Sequence, residues 1–215
     1  MRESYLRQLD TLHSELIRLG ALCEDAIACA VKGFLKDDPA LRDKAIELEK
    51  DIDLKEREIE TFCVHLLLHE QPVAGDLRQI TAAQHIITDM ERIGDQAENI
   101  AELSRFIKGS GIKKGVHIGD MADATVKMLT DSVDAFVASD REKAQAVIEY
   151  DRKVDALFRT IKGELIDMIA AAGRETAEVC LDLLMIAKYL ERIGDHAQNI
   201  AEWVEYSITG QRKGN

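Results

Sequence analysis

Hydrophobic positions recur along the chain at the three- and four-residue spacing of amphipathic helices. In the stretch "MERIGDQAENI", for example, Met90, Ile93, Ala97 and Ile100 fall on one helical face, while the acidic residues fall on another. Few residues interrupt this spacing, and between the interruptions the pattern predicts six helices. Their expected ranges are about 4–36, 39–70, 73–107, 117–138, 140–172 and 174–209.

The residues at the interruptions predict how the helices begin and end. Asp38 stands before Pro39, which is the arrangement of an N-cap followed by proline in the first helical position. "SDRE" at 139–142 has the form of a capping box that begins at Ser139 and reaches Glu142. The other breaks are Pro72, Gly173, Gly210 and the segment 108–115. This last segment is rich in glycine and lysine but lacks GxxxxGK[ST], so we interpret it as a solvated connector rather than a phosphate-binding loop.

Composition favours an all-α protein and limits its partners. The 215 residues suffice for one sizeable domain or two small ones, and 46 % of them are hydrophobic. Two prolines and 5 % aromatic residues favour helix over sheet. The net charge of −12 opposes binding to nucleic acid and suits positively charged partners or ions. No apolar run approaches the ~18 residues that a membrane-spanning helix needs, so we expect no insertion into a membrane.

The N-terminal residues and the cysteines indicate a cytoplasmic protein. The first residues, "MRESYLRQLD", contain no apolar signal core. The cysteines form no CxxC pair and lie in largely apolar helical stretches. We interpret them as buried, reduced thiols, with a metal or redox role as the alternative. They are Cys23, Cys29, Cys63 and Cys180.

The two halves of the chain repeat one another. "VKGFLKDD" at 31–38 matches "VDAFVASD" at 133–140, and the segments 88–102 and 188–202 share ten of fifteen residues. We therefore predict an all-α fold of two pseudo-symmetric antiparallel three-helix bundles. The predicted division is 1–108 for the first repeat, 109–116 for the linker, 117–210 for the second repeat and 211–215 for a tail.

Acidic residues recur at helical spacing on two neighbouring helices of the first half. Glu91 and Asp95 in "ERIGD" are four residues apart and share one face of the third helix, and Glu49 and Asp53 have the same spacing on the second. Glu49 and Asp95 are equally far from Pro72 along the chain. Asp53 and Glu91 are also equally far from it. An antiparallel hairpin that turns there therefore sets the two pairs side by side. Further acids extend the two stripes: Glu56, Glu60, Glu98 and Glu102.

The second half repeats this arrangement about Gly173, which is equally far from Asp151 and Asp195 and equally far from Asp155 and Glu191. Four carboxylates at one height repel each other unless basic side chains or a cation neutralise them. All-carboxylate sites suit hard ions such as Mg²⁺, Ca²⁺, Mn²⁺ or iron. The alternative is a solvated acidic face that lysine and arginine neutralise. The candidate metal ligands are Glu49, Asp53, Glu91, Asp95, Asp151, Asp155, Glu191 and Asp195.

Two further features lie inside the repeated ERIGD segments. Gly94 and Gly194 occupy helix interiors, where glycine costs about 1 kcal/mol relative to alanine. They indicate either a close helix approach or room for a bound group. His196 follows Asp195 but points about 100° away from it on a helix, and its counterpart is Gln96. We expect His196 to lie at the surface or to support the ligands indirectly, with metal ligation as the alternative.

Signatures of catalytic sites are missing from the sequence. It contains no GxSxG, and none of the six histidines follows a glutamate by three residues, as the Glu-x-x-His motif of di-iron bundles requires. Paired carboxylates can perform acid–base catalysis, but they then need unlike environments, and the two ERIGD segments are alike. We therefore predict that the chain is not an enzyme.

The segments "MERIGDQAENIAE" and "LERIGDHAQNIAE" resemble the signature of the PhoU family of phosphate-uptake regulators. "QPVAGDLRQI" at 71–80 and "EYDRKVDAL" at 149–157 extend this resemblance over nearly the whole chain. The resemblance implies two three-helix bundles in a cytoplasmic homodimer that represses the phosphate-starvation response when phosphate is plentiful. It also implies multinuclear metal clusters on E/DxxxD motifs, which here are the eight candidate ligands. Iron is the first candidate, and zinc, nickel, manganese and magnesium are the alternatives.

The resemblance further implies two protein partners, a PhoR-type sensor histidine kinase and the PstB-type ATPase of the phosphate ABC transporter. The chain would act as a metal-binding adaptor between them. A helical protein that stores or buffers iron or another divalent ion is the alternative function, and a purely structural scaffold is a weaker one. The DLR segment at 76–78 has no copy in the second half, so a partner surface built on it would occur only once.

Overall fold

The chain folds into six long helices. The computed structural model describes residues 2–69, 72–107, 116–171 and 174–211. Within these ranges no residue lies in a β-strand, and no helix is both long and apolar enough to cross a membrane. The helices are α1 (Arg2–Leu35), α2 (Pro39–His69), α3 (Ala74–Leu103), α4 (Ile118–Ala138), α5 (Arg141–Ala171) and α6 (Arg174–Thr209). The predicted all-α fold with six helices is confirmed.

The start of α2 is capped as the sequence predicts. Asp38 Oδ1 accepts hydrogen bonds from the backbone N–H groups of Ala40 and Leu41, at 2.9 and 3.3 Å. Pro39 takes the first helical position. These bonds satisfy two of the N–H groups that the first turn of a helix leaves without a backbone partner.

The start of α5 differs from the predicted capping box. Ser139 has a φ of 51°, in the left-handed region, and forms the C-cap of α4. Asp140 caps α5 instead, since its Oδ1 accepts a hydrogen bond from the N–H of Lys143 at 3.0 Å. The prediction of a Ser139 cap was wrong because the chain uses this residue to leave α4 through a left-handed turn.

The end of α6 agrees with the prediction. Gly210 follows Thr209 with a φ of 72°, a backbone conformation that glycine adopts without steric cost. The other predicted breaks at Gly173 and 108–115 lie outside the residues that the structure describes.

Each half of the chain forms a three-helix bundle. Helices α1, α2 and α3 pack on one another, and α4, α5 and α6 do the same. The two bundles join along two helix pairs, α1 with α4 and α3 with α6. Helices α2 and α5 each pack against the other two helices of their own bundle. This arrangement confirms the predicted internal repeat.

Helices α3 and α6 run antiparallel along the junction of the bundles. Near the start of α3, Arg78 Nε donates a hydrogen bond to the carbonyl of Ser207 near the end of α6, at 3.4 Å. Further along α3, Asp89 contacts His196. Arg78 therefore has a structural role, since its positive charge lies at the negative end of the α6 dipole. Within the DLR segment, Leu77 is the exposed residue.

One apolar core runs through both bundles, and the repeated segment supplies its centre. Isoleucine and alanine positions of this segment are fully buried in both halves, and α3 and α6 pack against each other. Each large side chain removed from water contributes roughly 1.5–3 kcal/mol. The buried positions are Ile93, Ala97, Ile100, Ala101, Ile193, Ala197, Ile200 and Ala201.

The four cysteines are all buried and carry free thiols. Burial raises the pKa of the Cys63 thiol to about 12. Burial also raises the pKa of the Cys23 and Cys180 thiols. Such thiols stay protonated at neutral pH and are poor metal ligands, which agrees with their interpretation as buried, reduced residues.

Candidate metal centre

The predicted ligands lie on two helix pairs, α2–α3 in the first half and α5–α6 in the second. On α3, Ile93 is buried while Glu91 and Asp95 share a partly exposed face. On α2, Ile52 is buried beside the partly exposed Asp53. The same helical turns thus supply the core and the acids. We define the first acidic face as Glu49, Asp53, Glu56, Glu91, Asp95 and Glu98, and the second acidic face as Asp151, Asp155, Glu191 and Asp195.

Close helix packing brings the two helices of each face together. A Cβ atom added at Gly94 of α3 would lie 3.1 Å from both Cδ1 and Cγ2 of Ile52 on α2. A Cβ atom added at Gly194 of α6 would lie 3.1 Å from Val154 Cγ1 and 3.4 Å from Asp151 Oδ1 on α5. Of the two interpretations of these glycines, close helix approach is the one that the structure shows, because Ile52 and Val154 fill the adjacent space.

We expect Gly94→Ala to bring no gain in stability. Replacing glycine by alanine inside a helix ordinarily stabilises by roughly 0.5–1 kcal/mol, but at Gly94 the methyl group would press against the branched Ile52. Gly163→Ala in α5 is the matched control, because a Cβ atom at Gly163 meets nothing within 4 Å. Urea unfolding should show the ordinary gain for Gly163→Ala and none for Gly94→Ala. An equal gain in both variants would contradict the close packing.

The predicted ligands of the first acidic face lie within electrostatic range of one another. Partial burial raises the pKa of Glu49, and the charges of Glu98, Asp53 and Asp95 raise it further. Partial burial and the Asp53 charge raise the pKa of Asp95. Partial burial, followed by the charges of Asp95 and Asp53, also raises the pKa of Glu91. The structure therefore brings the acids of α2 beside those of α3.

Glu56 and Glu98 also belong to the first acidic face. Partial burial raises the pKa of both, and neighbouring carboxylates raise it further. The sequence places both on the acidic stripes, but they were not among the predicted ligands. The available signal was spacing, since they follow Asp53 and Asp95 by three residues. In the second half their positions are taken by a phenylalanine and a glutamine.

The second acidic face has fewer acids, but their charges raise one another's pKa. Partial burial raises the pKa of Asp151 to about 6, with contributions from the charges of Asp155, Asp195 and Glu191. Asp195 keeps an exposed surface, yet partial burial of its carboxylate and the Glu191 charge raise its pKa as well. All four predicted ligands of the second half therefore lie together.

Basic side chains neutralise the first acidic face only in part. Asp53 forms an ion pair with Arg57 at 3.0 Å, but 71 % of the Arg57 side chain is exposed. The Arg92 charge lowers the pKa of Glu91 and Asp95, but partial burial raises it by more. The face therefore keeps a negative charge that attracts cations.

The stability of the metal-free protein should fall as the pH rises through the range in which Asp151 ionises. The folded-state pKa of about 6 exceeds the usual value of about 3.9. The folded protein thus binds this proton more tightly than the unfolded chain, and ionisation between about pH 4 and 6 lowers stability. Asp151→Asn removes this loss of stability. At pH 7 the free energy of unfolding of the variant should therefore exceed that of the wild type by about 1 kcal/mol, after allowance for solvent screening.

The two proteins should have nearly equal stability near pH 4, where Asp151 is largely protonated in the folded state. Urea unfolding at both pH values, in buffer with a chelator, measures the difference. A wild type that is as stable as Asp151→Asn at pH 7, or more stable, would contradict the raised pKa of Asp151.

The donor chemistry of both faces fits a hard cation, because carboxylate oxygens are the ligands that such ions prefer. In the part of the chain that the structure describes, no group of three or more His, Cys, Asp or Glu side chains is arranged to hold a metal ion. Metal binding would therefore require the carboxylates of neighbouring helices to turn toward each other. Partly exposed side chains can do this by changing rotamer.

His196 links the two halves of the chain. Its Nδ1 lies 2.9 Å from Asp89 Oδ1 on α3. Only 16 % of its side chain is exposed, so of the two expected positions the surface one is wrong, and the indirect support of the ligands stays a prediction. Asn199 donates a longer hydrogen bond of 3.4 Å to the same oxygen. The His196 charge lowers the pKa of both Asp95 and Asp195, so this histidine lies near both acidic faces. Asp89 was not among the residues that the sequence singled out.

The fold and its two acidic faces define a helical-repeat protein in which one three-helix unit occurs twice, each time with carboxylates on its second and third helices. The family model for the PhoU domain matches this unit at residues 16–104 and again at 118–204. The chain belongs to the PhoU family, which confirms the resemblance seen in its repeated segments.

Relatives match this chain over nearly its whole length. The "Phosphate-specific transport system accessory protein PhoU homolog" of Clostridium acetobutylicum is 35 % identical over 98 % of this chain and 97 % of its own length. The protein of the same description from Pseudomonas putida is 32 % identical over 97 % of this chain and 82 % of its own length. The crystal structure of PhoU from Pseudomonas aeruginosa superimposes with a TM-score of 0.89 at 32 % identity, and the match covers 96 % of this chain and 100 % of that one.

These relatives are named as accessory proteins of a transport system and not as enzymes. Membership of this family of regulatory accessory proteins confirms the prediction that the chain is not an enzyme.

Proposed function

We propose that this chain is a negative regulator of phosphate uptake and of the phosphate-starvation response. The observation that carries the proposal is the PhoU domain in both halves. It is supported by relatives that are named as accessory proteins of the phosphate-specific transport system and that align over nearly the whole chain. Association with a phosphate transport system is therefore the expected setting of its activity.

Within that setting, the chain would act as an adaptor between the PstB-type ATPase of the phosphate ABC transporter and a PhoR-type sensor histidine kinase. An adaptor that binds one state of a kinase in preference to another shifts the kinase toward that state by its difference in affinity for the two. The net charge of −12 suits a partner with a basic surface. We also expect a homodimer, for which light scattering should give twice the monomer mass of 24.0 kDa.

The two acidic faces are the proposed metal sites of this adaptor. The raised carboxylate pKa values support the proposal, because partial burial and, after it, the charges of neighbouring carboxylates make ionisation of these groups unfavourable unless a cation is present. A bound divalent or multinuclear metal, with iron as the first candidate, would supply the missing positive charge. The residues that would hold it are Glu49, Asp53, Glu91 and Asp95 on the first face, and Asp151, Asp155, Glu191 and Asp195 on the second.

Alkaline phosphatase activity in cells grown with ample phosphate tests the regulator proposal. Deleting the chromosomal copy in its own host should raise this activity, because the kinase response is no longer repressed. Returning the intact chain on a plasmid should lower it again. An empty plasmid is the control.

Activity that stays low after the deletion would contradict a role as repressor. A protein that only stores metal predicts a different phenotype. In that case the deletion would change the response of the cells to metal supply and leave the response to phosphate unaltered.

A further inference from the structure

Lys188 on α6 reaches into the second acidic face. Its ammonium group forms an ion pair with Glu191 on the same helix. It also lies 5.6 Å from the centre of the Phe158 ring on α5, a distance at which a ring face attracts a cation. The charge of Lys188 lowers the pKa of Asp195. The lysine therefore bridges both helices of the face and acts on two of its acids.

The first acidic face lacks a lysine at the matching position. The repeat places Thr88 where the second half has Lys188, and Glu56 where it has Phe158. The Thr88 hydroxyl donates a hydrogen bond to the carbonyl of Gln84 at 3.1 Å, within its own helix. At these two positions the first face thus lacks an ammonium group and has an additional carboxylate. Another lysine, the exposed Lys50 of α2, lowers the pKa of Glu49 and Glu98 through its charge.

The arginine that pairs with the first face does not replace Lys188. Arg57 contacts Asp53 on its own helix, and its side chain is largely exposed. The second half has an arginine at the matching position, Arg159, whose Nε donates a hydrogen bond to the Asp155 carbonyl at 3.2 Å. An arginine at this position is therefore common to both halves, whereas Lys188 belongs to the second half alone.

We propose that Lys188 is a built-in cation of the second acidic face, and that metal ions consequently bind the first acidic face in preference to the second. On the first face an incoming metal ion meets two further carboxylates, Glu56 and Glu98, and basic side chains that are exposed, Lys50 and Arg57. On the second face it must displace the ammonium group or share the carboxylates with it. Phe158 holds the ammonium group near the acids and offers no oxygen ligand. The metal preference rests on the proposed metal-binding function, whereas the neutralising role of Lys188 does not.

The metal-free protein tests the neutralising role. Lys188→Thr introduces the residue of the first half and leaves the carboxylates of the second face without their cation. In dilute buffer with a chelator at about pH 7.5, the melting temperature should fall by about 2–4 °C. In about 1 M salt, where charges are screened beyond roughly 3 Å, the loss should shrink.

Lys127→Thr is the matched control for this experiment. Lys127 also pairs with an acid of its own helix, Asp131, and lies 5.6 Å from the centre of an aromatic ring, that of Tyr150. It lies outside both acidic faces, so its removal should lower the melting temperature by less and with a weaker salt dependence. An equal loss in both variants, or no loss in Lys188→Thr, would overturn the neutralising role.

Titration with Mn²⁺ tests the metal preference, since paramagnetic broadening of assigned NMR signals shows which face the ion occupies. The wild type should bind Mn²⁺ more tightly on the first face. Lys188→Thr should raise the affinity of the second face by roughly tenfold, and Thr88→Lys should lower that of the first by a similar factor. Unchanged affinities in both variants would overturn the preference.

Absence of Mn²⁺ binding in all three proteins would refute both the preference and the proposed metal function. The melting experiment would still decide the neutralising role of Lys188.

Discussion

Removing the charge of the four predicted ligands on α2 and α3 should abolish metal binding at the first acidic face and stabilise the metal-free protein. The variant carries Glu49→Gln, Asp53→Asn, Glu91→Gln and Asp95→Asn, which keep the size of each side chain. In the wild type, partial burial and mutual repulsion raise the pKa of Glu49, Glu91 and Asp95, so their ionisation at neutral pH opposes folding. The amides remove this opposition. We expect a gain of about 1–2 kcal/mol at pH 7 in chelator-containing buffer, after discounting for solvent screening.

The response to metal should change in the opposite direction. A ligand that binds only the folded state stabilises it by about 2.7 kcal/mol at 100 times its dissociation constant. Addition of Mn²⁺ or Fe²⁺ should therefore raise the melting temperature of the wild type and leave the variant with the smaller response of the second face alone. Melting curves with and without metal measure both effects.

A control variant neutralises four exposed acids outside the faces. It should keep the metal response of the wild type and gain less stability without metal. Metal stabilisation that persists undiminished in the face variant would place the ion elsewhere and contradict the site. The control positions are Glu47, Asp123, Glu149 and Asp167.

His196→Ala should destabilise the protein by about 2–4 kcal/mol at pH 7. The side chain of Asp89 is only 9 % exposed, and His196 Nδ1 lies 2.9 Å from its Oδ1. Loss of the imidazole leaves a buried carboxylate with the longer hydrogen bond from Asn199, and an incompletely paired buried charge is costly. Urea unfolding measures the effect.

Two control variants separate the buried pair from a general effect of losing a histidine. The double variant Asp89→Ala with His196→Ala should recover part of the loss, because no buried charge remains. His65→Ala removes an exposed histidine of α2 and should change stability by less than about 0.5 kcal/mol. If His196→Ala changed stability as little as His65→Ala does, the pair would not hold the two bundles together.

Helical periodicity made the fold predictable, and equal chain distance from a turn made the hairpin pairs predictable. Equal chain distance does not determine which residues of α2 and α3 lie side by side, because packed helices cross at an angle and a helical turn spans 3.6 residues. Thus the carboxylate that most raises the pKa of Glu49 is Glu98, ahead of the predicted partner Asp95. The prediction therefore located the first acidic face but undercounted its members.

Contacts that occur in only one of the two halves could not be predicted by comparing the halves. His196 pairs with Asp89, but the matching positions in the other half are Gln96 and Tyr189. Comparison of the halves therefore gives no signal for this pair. The cap at Asp140 was missed for a local reason, because the left-handed φ of the preceding serine depends on how α4 and α5 reverse direction.

Whether the acids converge on an ion depends on side-chain rotamers, which residue spacing does not determine. Spacing places Glu91 and Asp95 on one helical face, and the structure brings Asp53 near both. The conformations of the described side chains do not form a metal-binding group. The sequence thus predicts which donor groups the site contains and that they carry negative charge. It does not predict the side-chain conformations.

The central claim is that the acidic faces are the functional site of a PhoU-type regulator. Its most direct test is alkaline phosphatase activity, at ample phosphate, in cells whose chromosomal copy carries alanine in place of Glu91, Asp95, Glu191 and Asp195. Circular dichroism of the purified variant and its abundance in the cells establish that it is folded and present. We predict activity as high as in the deletion strain, whereas cells with the intact chain keep it low. Low activity in the folded variant would contradict the claim and leave the acidic faces as solvated surface.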